Sequence, residues 1–500
     1  MDYLFGGRKP AAETIPGDRV RPLHFFENNL LVQGNNMSGL AVFDEVLDPE
    51  VLREALEGVV KRPGWERLGG RLKRNASTGK IEWHIPSEFT PSRPALTYSH
   101  VAHDMPIAAH PAASRIPKPS TPTWSGRTAT APTASKDYID TDAPVLGLRV
   151  HTFHDATLVA LQWQHVAFDA LGLKYVLEAW SAMLWGRSGP DDIPTPLGGQ
   201  EGSDGSDPFG MTLAQGLPPA TGEQHVLADR RVGIFGIAMW GLGYGIDTAL
   251  RAKENGMMCV PASYWQPQLE RAMTELRREA VEKGEDPAKV FLTENDIITA
   301  FILRCVVSAA SMDPDQLVNG SIAMSLRKAF EGADGLIPLS THHPYVGNAF
   351  GWAHVLVRAG DVTSNPLSWL ARHVRRAINT QGTRAQHEAY YALVKASGTG
   401  LPIVVFGDGG MAQVGFSNLS KAGLFDLDFA PARKGKDEGQ DAMPRPCKPV
   451  YAQENHGPIK PVDGFFVLGK DSLGNYWTSA YKLKGAWEKI QEQLVKEFGD

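Results

Sequence analysis

The stretch Thr157-Leu-Val-Ala-Leu-Gln-Trp-Gln-His165-Val-Ala-Phe-Asp169-Ala-Leu-Gly172 changes its periodicity once, and that change limits the folds open to the chain. Up to His165 the residues alternate as in a strand. Leu161, Trp163 and His165 fall on one face, Gln162 and Gln164 on the other. From Asp169 onward, Leu171, Leu173, Val176, Leu177 and Trp180 recur at helical spacing. A strand feeding a helix in this way belongs to a layered α/β protein. A histidine at a strand end is rigidly aimed, and an unperturbed pKa near 6.5 suits a general base. The same residues also fit a structural reading, in which His165 is a core histidine and Asp169 the helix N-cap. A metal site is less well supplied. His165 and Asp169 offer two ligands, and no third stands at a recognisable spacing.

At 500 residues the chain is too long for one ordinary core. Two domains of about 200 residues each are expected. A net charge of −6, with no basic stripe interleaved with aromatics, argues against a nucleic-acid partner. Cys259, Cys305 and Cys447 are far apart and odd in number, so they suggest neither a disulfide framework nor a zinc knuckle. The first ten residues lack a basic region followed by an apolar run. A cytoplasmic monomer is the resulting expectation. The apolar stretch 232–250 is long enough to cross a bilayer, but it holds five glycines and Asp247. A buried or surface-lying helix fits it better than a span, with weak peripheral membrane contact as the alternative.

Along the chain, Leu23–Phe26 and Leu40–Phe43 are expected strands, and Asp48-Pro49-Glu50 opens an amphipathic helix. Residues 68–72 and 80–85 read as a hairpin. Residues 111–136 and 188–222 read as long polar loops. Strands at 144–153 and 157–165 precede a helix over 170–185. Helices are expected at 264–283, from Thr293 to Val307, at 367–380 and at 487–498. Strands are expected at 321–327, 350–357, 403–406, 411–417, 464–468 and 476–483. Asp408-Gly409-Gly410 reads as a turn, and His342 and His343 as solvated loop residues. The halves share the same strand-and-helix mixture. The division is therefore 1–200, a crossover at 201–260 carrying the apolar segment, and 261–500.

Several segments, in this order, carry a resemblance. They are Leu52…Arg62-Pro63…Gly70-Arg71-Leu72, Gln164-His165-Val-Ala-Phe-Asp169 and Leu292-Thr-Glu-Asn-Asp296…Ala300…Leu303-Arg304. They continue with Ser325-Leu-Arg327, Tyr345-Val-Gly-Asn348-Ala, and Ser417-Asn418…Phe425-Asp-Leu-Asp428-Phe429. Together they resemble the BAHD-type acyl-CoA-dependent acyltransferases, in particular the fungal members that include the trichothecene O-acetyltransferases. Two departures stand out. Ala170 follows Asp169 where the family often has glycine, and the D-F-G-W-G segment survives only as Asp428-Phe429-Ala430-Pro431.

The resemblance implies two similar chloramphenicol-acetyltransferase-like domains, each a mixed β-sheet with flanking helices, joined by a long crossover. It implies transfer of an acyl group, acetyl by analogy, from acyl-CoA to a hydroxyl of a small secondary metabolite. His165 would be the base of the HxxxD motif, acting in a tunnel between the domains. Asp169 would pair with Arg327 and steady the catalytic loop. Ser417, Asn418, Asn348 and Tyr345 are candidates for the oxyanion site or tunnel wall, and Asp428 and Phe429 for structural roles. Acyl-CoA is then a co-substrate, with no tightly bound cofactor and no metal. N-acyl transfer, a carrier-protein-dependent condensation reaction, and a non-catalytic binding protein on the same scaffold remain alternatives.

Overall fold

The structure, a computed structural model, describes residues 15–28, 30–115, 132, 135–139, 141–197, 222–239, 241, 251–331, 337, 343–396, 404–435, 445–457 and 460–498. The strands in chain order are β1 (Arg19–Pro22), β2 (Asn36–Phe43), β3 (Arg71–Arg74), β4 (Ile81–Ile85), β5 (Thr97–Ala102), β6 (Leu146–Thr152) and β7 (Thr157–Gln164). They continue with β8 (Lys253–Val260), β9 (Leu317–Ser325), β10 (Phe350–Arg358), β11 (Ala412–Asn418), β12 (Tyr451–Gly457), β13 (Gly464–Lys470) and β14 (Tyr476–Leu483). The longer helices are α1 (Pro49–Val60), α2 (Ala170–Leu184), α3 (Ala262–Glu282), α4 (Glu294–Ala310), α5 (Leu367–Gln381), α6 (Arg384–Ala396) and α7 (Ala486–Phe498).

The strands form two large mixed sheets and a small one. The orders are β12-β2-β7-β6-β5, β10-β9-β11-β13-β14-β8 and β1-β4-β3. Each large sheet buries an apolar face under helices. Leu52, Leu56 and Val59 of α1 and Val176, Leu177 and Trp180 of α2 pack with Leu148, Val159 and Leu161 of the first sheet. Ile297, Phe301 and Val306 of α4, Leu370 and Val374 of α5 and Ile490 of α7 pack on the second. Local chemistry starts several of these helices. Asp48 accepts the Glu50 and Val51 amides ahead of Pro49, and Thr293 and Asp296 form a capping box.

The observed architecture departs from the sequence division in two places. Residues 253–260, assigned to the crossover, are the edge strand β8 of the second sheet. Residues 451–457, assigned to the C-terminal half, are β12 and pair with β2 in the first sheet. Tyr-Ala-Gln-Glu-Asn-His-Gly has no apolar alternation and no β-branched residue, so it gives no strand signal. Its ladder partner, β2, lies some four hundred residues away. Leu419, Phe425, Phe429 and Trp477 likewise enter the core of the first sheet.

Smaller corrections follow. Leu23–Phe26 is a turn after β1, closed by the Glu27 carboxylate accepting the His24 amide at 3.1 Å. Phe406 makes only an isolated bridge to Arg231, because the segment 404–406 is too short to extend a sheet; residue 403 lies outside the described residues. The strand expected to end at Arg327 ends at Ser325, and Arg327 opens a short helix to Phe330. β5 and α6 had no expectation. Most of 111–136, 198–221, 242–250 and 436–444 lies outside the described residues. Of the apolar segment, Val232 bonds to the Val405 carbonyl, and Ile234, Phe235 and Met239 are exposed on a short helix. No helix among the described residues is long and apolar enough to cross a membrane.

Candidate active site

β7 delivers His165 to the end of the first sheet, and the five residues that follow are tied from every side. The His165 amide bonds to the Asn35 carbonyl at 3.1 Å. Gln164 turns its side chain back to accept the Val166 amide at 2.5 Å. Trp163 Nε1 donates to the Phe168 carbonyl at 3.2 Å. Asn348 Nδ2 donates to the carbonyls of His165 and Val166 at 2.9 and 3.1 Å. Tyr345 Oη closes the turn by donating to the Asn348 carbonyl at 3.1 Å.

Asp169 caps α2 and points away from the imidazole. Its Oδ1 accepts the Leu171 and Gly172 amides, and its Oδ2 the Ala349 amide. Arg327 grips the same carboxylate with both terminal nitrogens at 2.9 and 2.8 Å, and also donates to the Tyr345 and Gly347 carbonyls. Burial alone would raise the Asp169 carboxyl, but the Arg327 charge and these hydrogen bonds outweigh it and hold the pKa below the usual value. Gly172 lets the first turn of α2 touch the Val346 backbone. A Cβ there would meet the Val346 carbonyl oxygen at 2.1 Å.

His165 opens onto a cavity of about 1500 Å³, larger than a typical small-molecule pocket. Both halves line it: Met37 and Trp163 from the first sheet with Asn35 just before β2, and Phe416, Ser417 and Phe466 from the second. The imidazole lies 5.8 Å from the Phe350 ring. Its Nδ1 is buried without a hydrogen-bond partner among the described residues. Burial lowers its pKa below the ordinary histidine value, offset only in part by its own carbonyl, Asp169 and Asn348. A neutral imidazole beside a roomy cavity can accept a proton.

The other expected site residues divide. Ser417, Asn418 and Tyr345 line the same cavity. The Asn418 carboxamide is engaged on both sides, donating to Asn295 and accepting the Ser420 amide. Asp428 and Phe429 lie apart. Asp428 Oδ1 accepts the Ala430 and Cys447 amides, and Phe429 packs on Phe43 and Trp180 in the first core. His343 is half-buried. It lines the cavity, and its Nδ1 bonds to the Thr195 carbonyl at 2.8 Å, held there by the chain folding back over it. His342 lies outside the described residues. No group of three or more His, Cys, Asp or Glu among the described residues is arranged to hold a metal.

Among the cavity residues with no sequence expectation are Asn35, Glu454 and His456. Glu454 and His456 stand at i and i+2 and so share a face once 451–457 is a strand. The carboxyl–x–imidazole spacing was the available signal, and the missing strand pattern hid it.

Two such sheets meeting over one cavity, with a histidine at a strand end, make the two-domain chloramphenicol-acetyltransferase-like fold. A family model described as the Transferase family matches residues 263–431. The acetyltransferase adrJ of Penicillium roqueforti is 30% identical over 99% of both chains. A Penicillium decumbens protein named transcriptional regulator calD is 30% identical over 99% of both chains. Among solved structures, Fusarium TRI101 (F. sporotrichioides) complexed with coenzyme A and T-2 superposes with a TM-score of 0.62 at 15% identity, covering 95% of this chain and 97% of that one. The chain belongs to the BAHD-type acyltransferase family, in its fungal branch.

Proposed function

We propose that the protein transfers an acyl group, acetyl by preference, from acyl-CoA to a hydroxyl of a small secondary metabolite. The observation that carries this reading is His165, fixed at the end of β7 on the wall of a cavity large enough for two substrates, where burial disfavours its charged form. The acceptor hydroxyl gives its proton to Nε2 as its oxygen attacks the thioester carbon. The tetrahedral intermediate then expels the CoA thiolate. The C–S bond breaks, the C–O bond stays, and the proton passes from Nε2 to sulfur. No acyl-enzyme forms. Ser417 is the oxyanion donor in this scheme, because the Asn418 amide is already committed. Asp169, Arg327, Tyr345 and Asn348 are positioning residues. Lys328 and Lys421, exposed at the cavity wall, suit the phosphates of CoA. The proposed division is one domain per large sheet, with β12 lent to the first.

A second reading draws on the relative named as a transcriptional regulator: a non-catalytic protein on the same scaffold. One experiment separates the two. The purified protein is incubated with acetyl-CoA and a panel of hydroxylated terpenoids and polyketides, and CoA thiol release is followed beside His165→Ala. Acceptor-dependent release that the variant loses supports the acyltransferase. No release, together with no CoA binding by titration, favours the non-catalytic reading.

A further inference from the structure

The cavity floor carries more chemistry than one basic histidine requires. In the register of the first sheet, Glu454 lies opposite Gly39 and His456 opposite Met37, which are themselves opposite Leu161 and Trp163. Directly paired residues share a face, so Glu454 and His456 project on the Trp163 side, where His165 also lies. Gly39 has no side chain, and the Trp163 ring packs against it at contact distance for a Cβ, 3.7 Å.

The two groups are buried and poorly satisfied. Among the described residues, neither oxygen of Glu454 has a hydrogen-bond partner, nor has His456 Nε2. The Glu454 Oε1 to His456 Nε2 distance is 3.6 Å, too long for a hydrogen bond. Leaving such groups unpaired is costly, so a site that keeps them is built for something that arrives. Their proton positions follow from their neighbours. The Asn35 side-chain oxygen accepts the Asn36 amide, so its NH₂ donates to His456 Nδ1 at 3.0 Å. The His456 proton is therefore on Nε2, which faces Glu454. Burial pushes the Glu454 carboxyl up to about 8, which keeps it neutral. The pair thus offers one N–H donor and one carboxyl oxygen acceptor side by side, which an oxygen can only bridge from the cavity side. An oxygen can sit about 2.8 Å from each. A hydroxyl, which accepts and donates at once, matches both.

We infer that Glu454 and His456 form a subsite for a second hydroxyl of the acceptor, so that the preferred substrates are diols or more highly hydroxylated small molecules. This rests on the acyl-transfer reading of the cavity. The bound hydroxyl is not the reacting one, because a protonated Nε2 and a neutral carboxyl cannot take its proton; His165 does that. A basic amine is disfavoured, because it would require Glu454 to ionise where burial opposes charge.

The test compares matched monohydroxy and dihydroxy steroids and terpenoids, with acetyl-CoA as donor, in wild type, Glu454→Gln, Glu454→Leu and His456→Leu. Wild type should favour the diol by about tenfold or more in kcat/KM, carried mainly by KM. Glu454→Gln, which keeps a donor and an acceptor, should retain most of that ratio. Both leucine variants should bring it to about one. The Tm of Glu454→Leu should rise, because an unpartnered buried carboxyl is replaced by an apolar group of similar size. A ratio unchanged in the leucine variants, a wild-type preference for amino alcohols, or a fall in Tm would overturn the inference. An activity-independent arm soaks crystals of both proteins in isopropanol. An alcohol oxygen between Nε2 and Oε1 in wild type, absent from Glu454→Leu, supports the subsite, and none in wild type sinks it. Failure of every acceptor with loss of CoA binding would count instead against the acyl-transfer reading.

Discussion

His165 enters the proposed reaction with its charged form already disfavoured. Burial is the main cause, and the sign of the consequence is definite. A base must be neutral to act, so activity is lost as pH falls through its folded pKa. The acid limb of kcat/KM should therefore lie below about 6.5, the unperturbed histidine value. A limb at or above that value in a pH–rate profile would contradict the burial argument. Glu454 runs the other way. Folded, its carboxyl keeps its proton up to about pH 8; unfolded, it gives it up near 4.3. The folded state binds more protons in that window, so its contribution to stability declines as pH rises through it. Glu454→Gln has no such slope. Its Tm advantage over wild type should widen between about pH 5 and pH 8 in thermal melts. A gap independent of pH would mean that Glu454 is ionised in the folded protein. His165 was legible in the sequence because a strand-to-helix switch surrounds it. Glu454 and His456 were not, because their strand is made of Gln, Glu, Asn and His and owes its conformation to β2.

At the scale of elements, the loop between β7 and α2 is held by the segment Tyr345–Ala349 and by Arg327, which come from the other half of the chain. The Asp169–Arg327 pair is buried, so removing one partner leaves an uncompensated charge. Arg327→Ala should cost about 3–5 kcal/mol in denaturant unfolding and lower kcat through a misplaced His165. Asp169→Asn should behave similarly but more mildly, since an amide still caps α2. Full stability with normal kcat in Arg327→Ala would show the pair to be dispensable. The family resemblance implied this division of labour, but could not tell which backbone groups share the carboxylate. Those bonds depend on the approach of α2 to the Val346 backbone, which Gly172 permits.

The whole molecule is interlocked. The first sheet takes its edge strand β12 from residues 451–457, and its core takes Leu419, Phe425, Phe429 and Trp477. A fragment ending before β8 would expose the β2 edge and lose that apolar cover. Residues 1–252 alone should therefore lack a cooperative thermal transition, whereas the full chain should unfold in one. A sharp transition for the fragment in calorimetry would show that the first domain is self-sufficient.

The sequence alone determined what short-range pattern can carry. That includes the helices with an apolar face and a cap, the β6–β7 pair, the position of His165 and Asp169, and the family to which the ordered motifs belong. Those features depend on residues within a few positions of one another. The tertiary structure alone decided which half owns β8 and β12, and which groups join His165 in the cavity. It also decided that Asn418 is committed while the Glu454 carboxyl and His456 Nε2 have no hydrogen-bond partner among the described residues. Those outcomes depend on backbone pairing and burial between residues hundreds of positions apart, and no local periodicity encodes them.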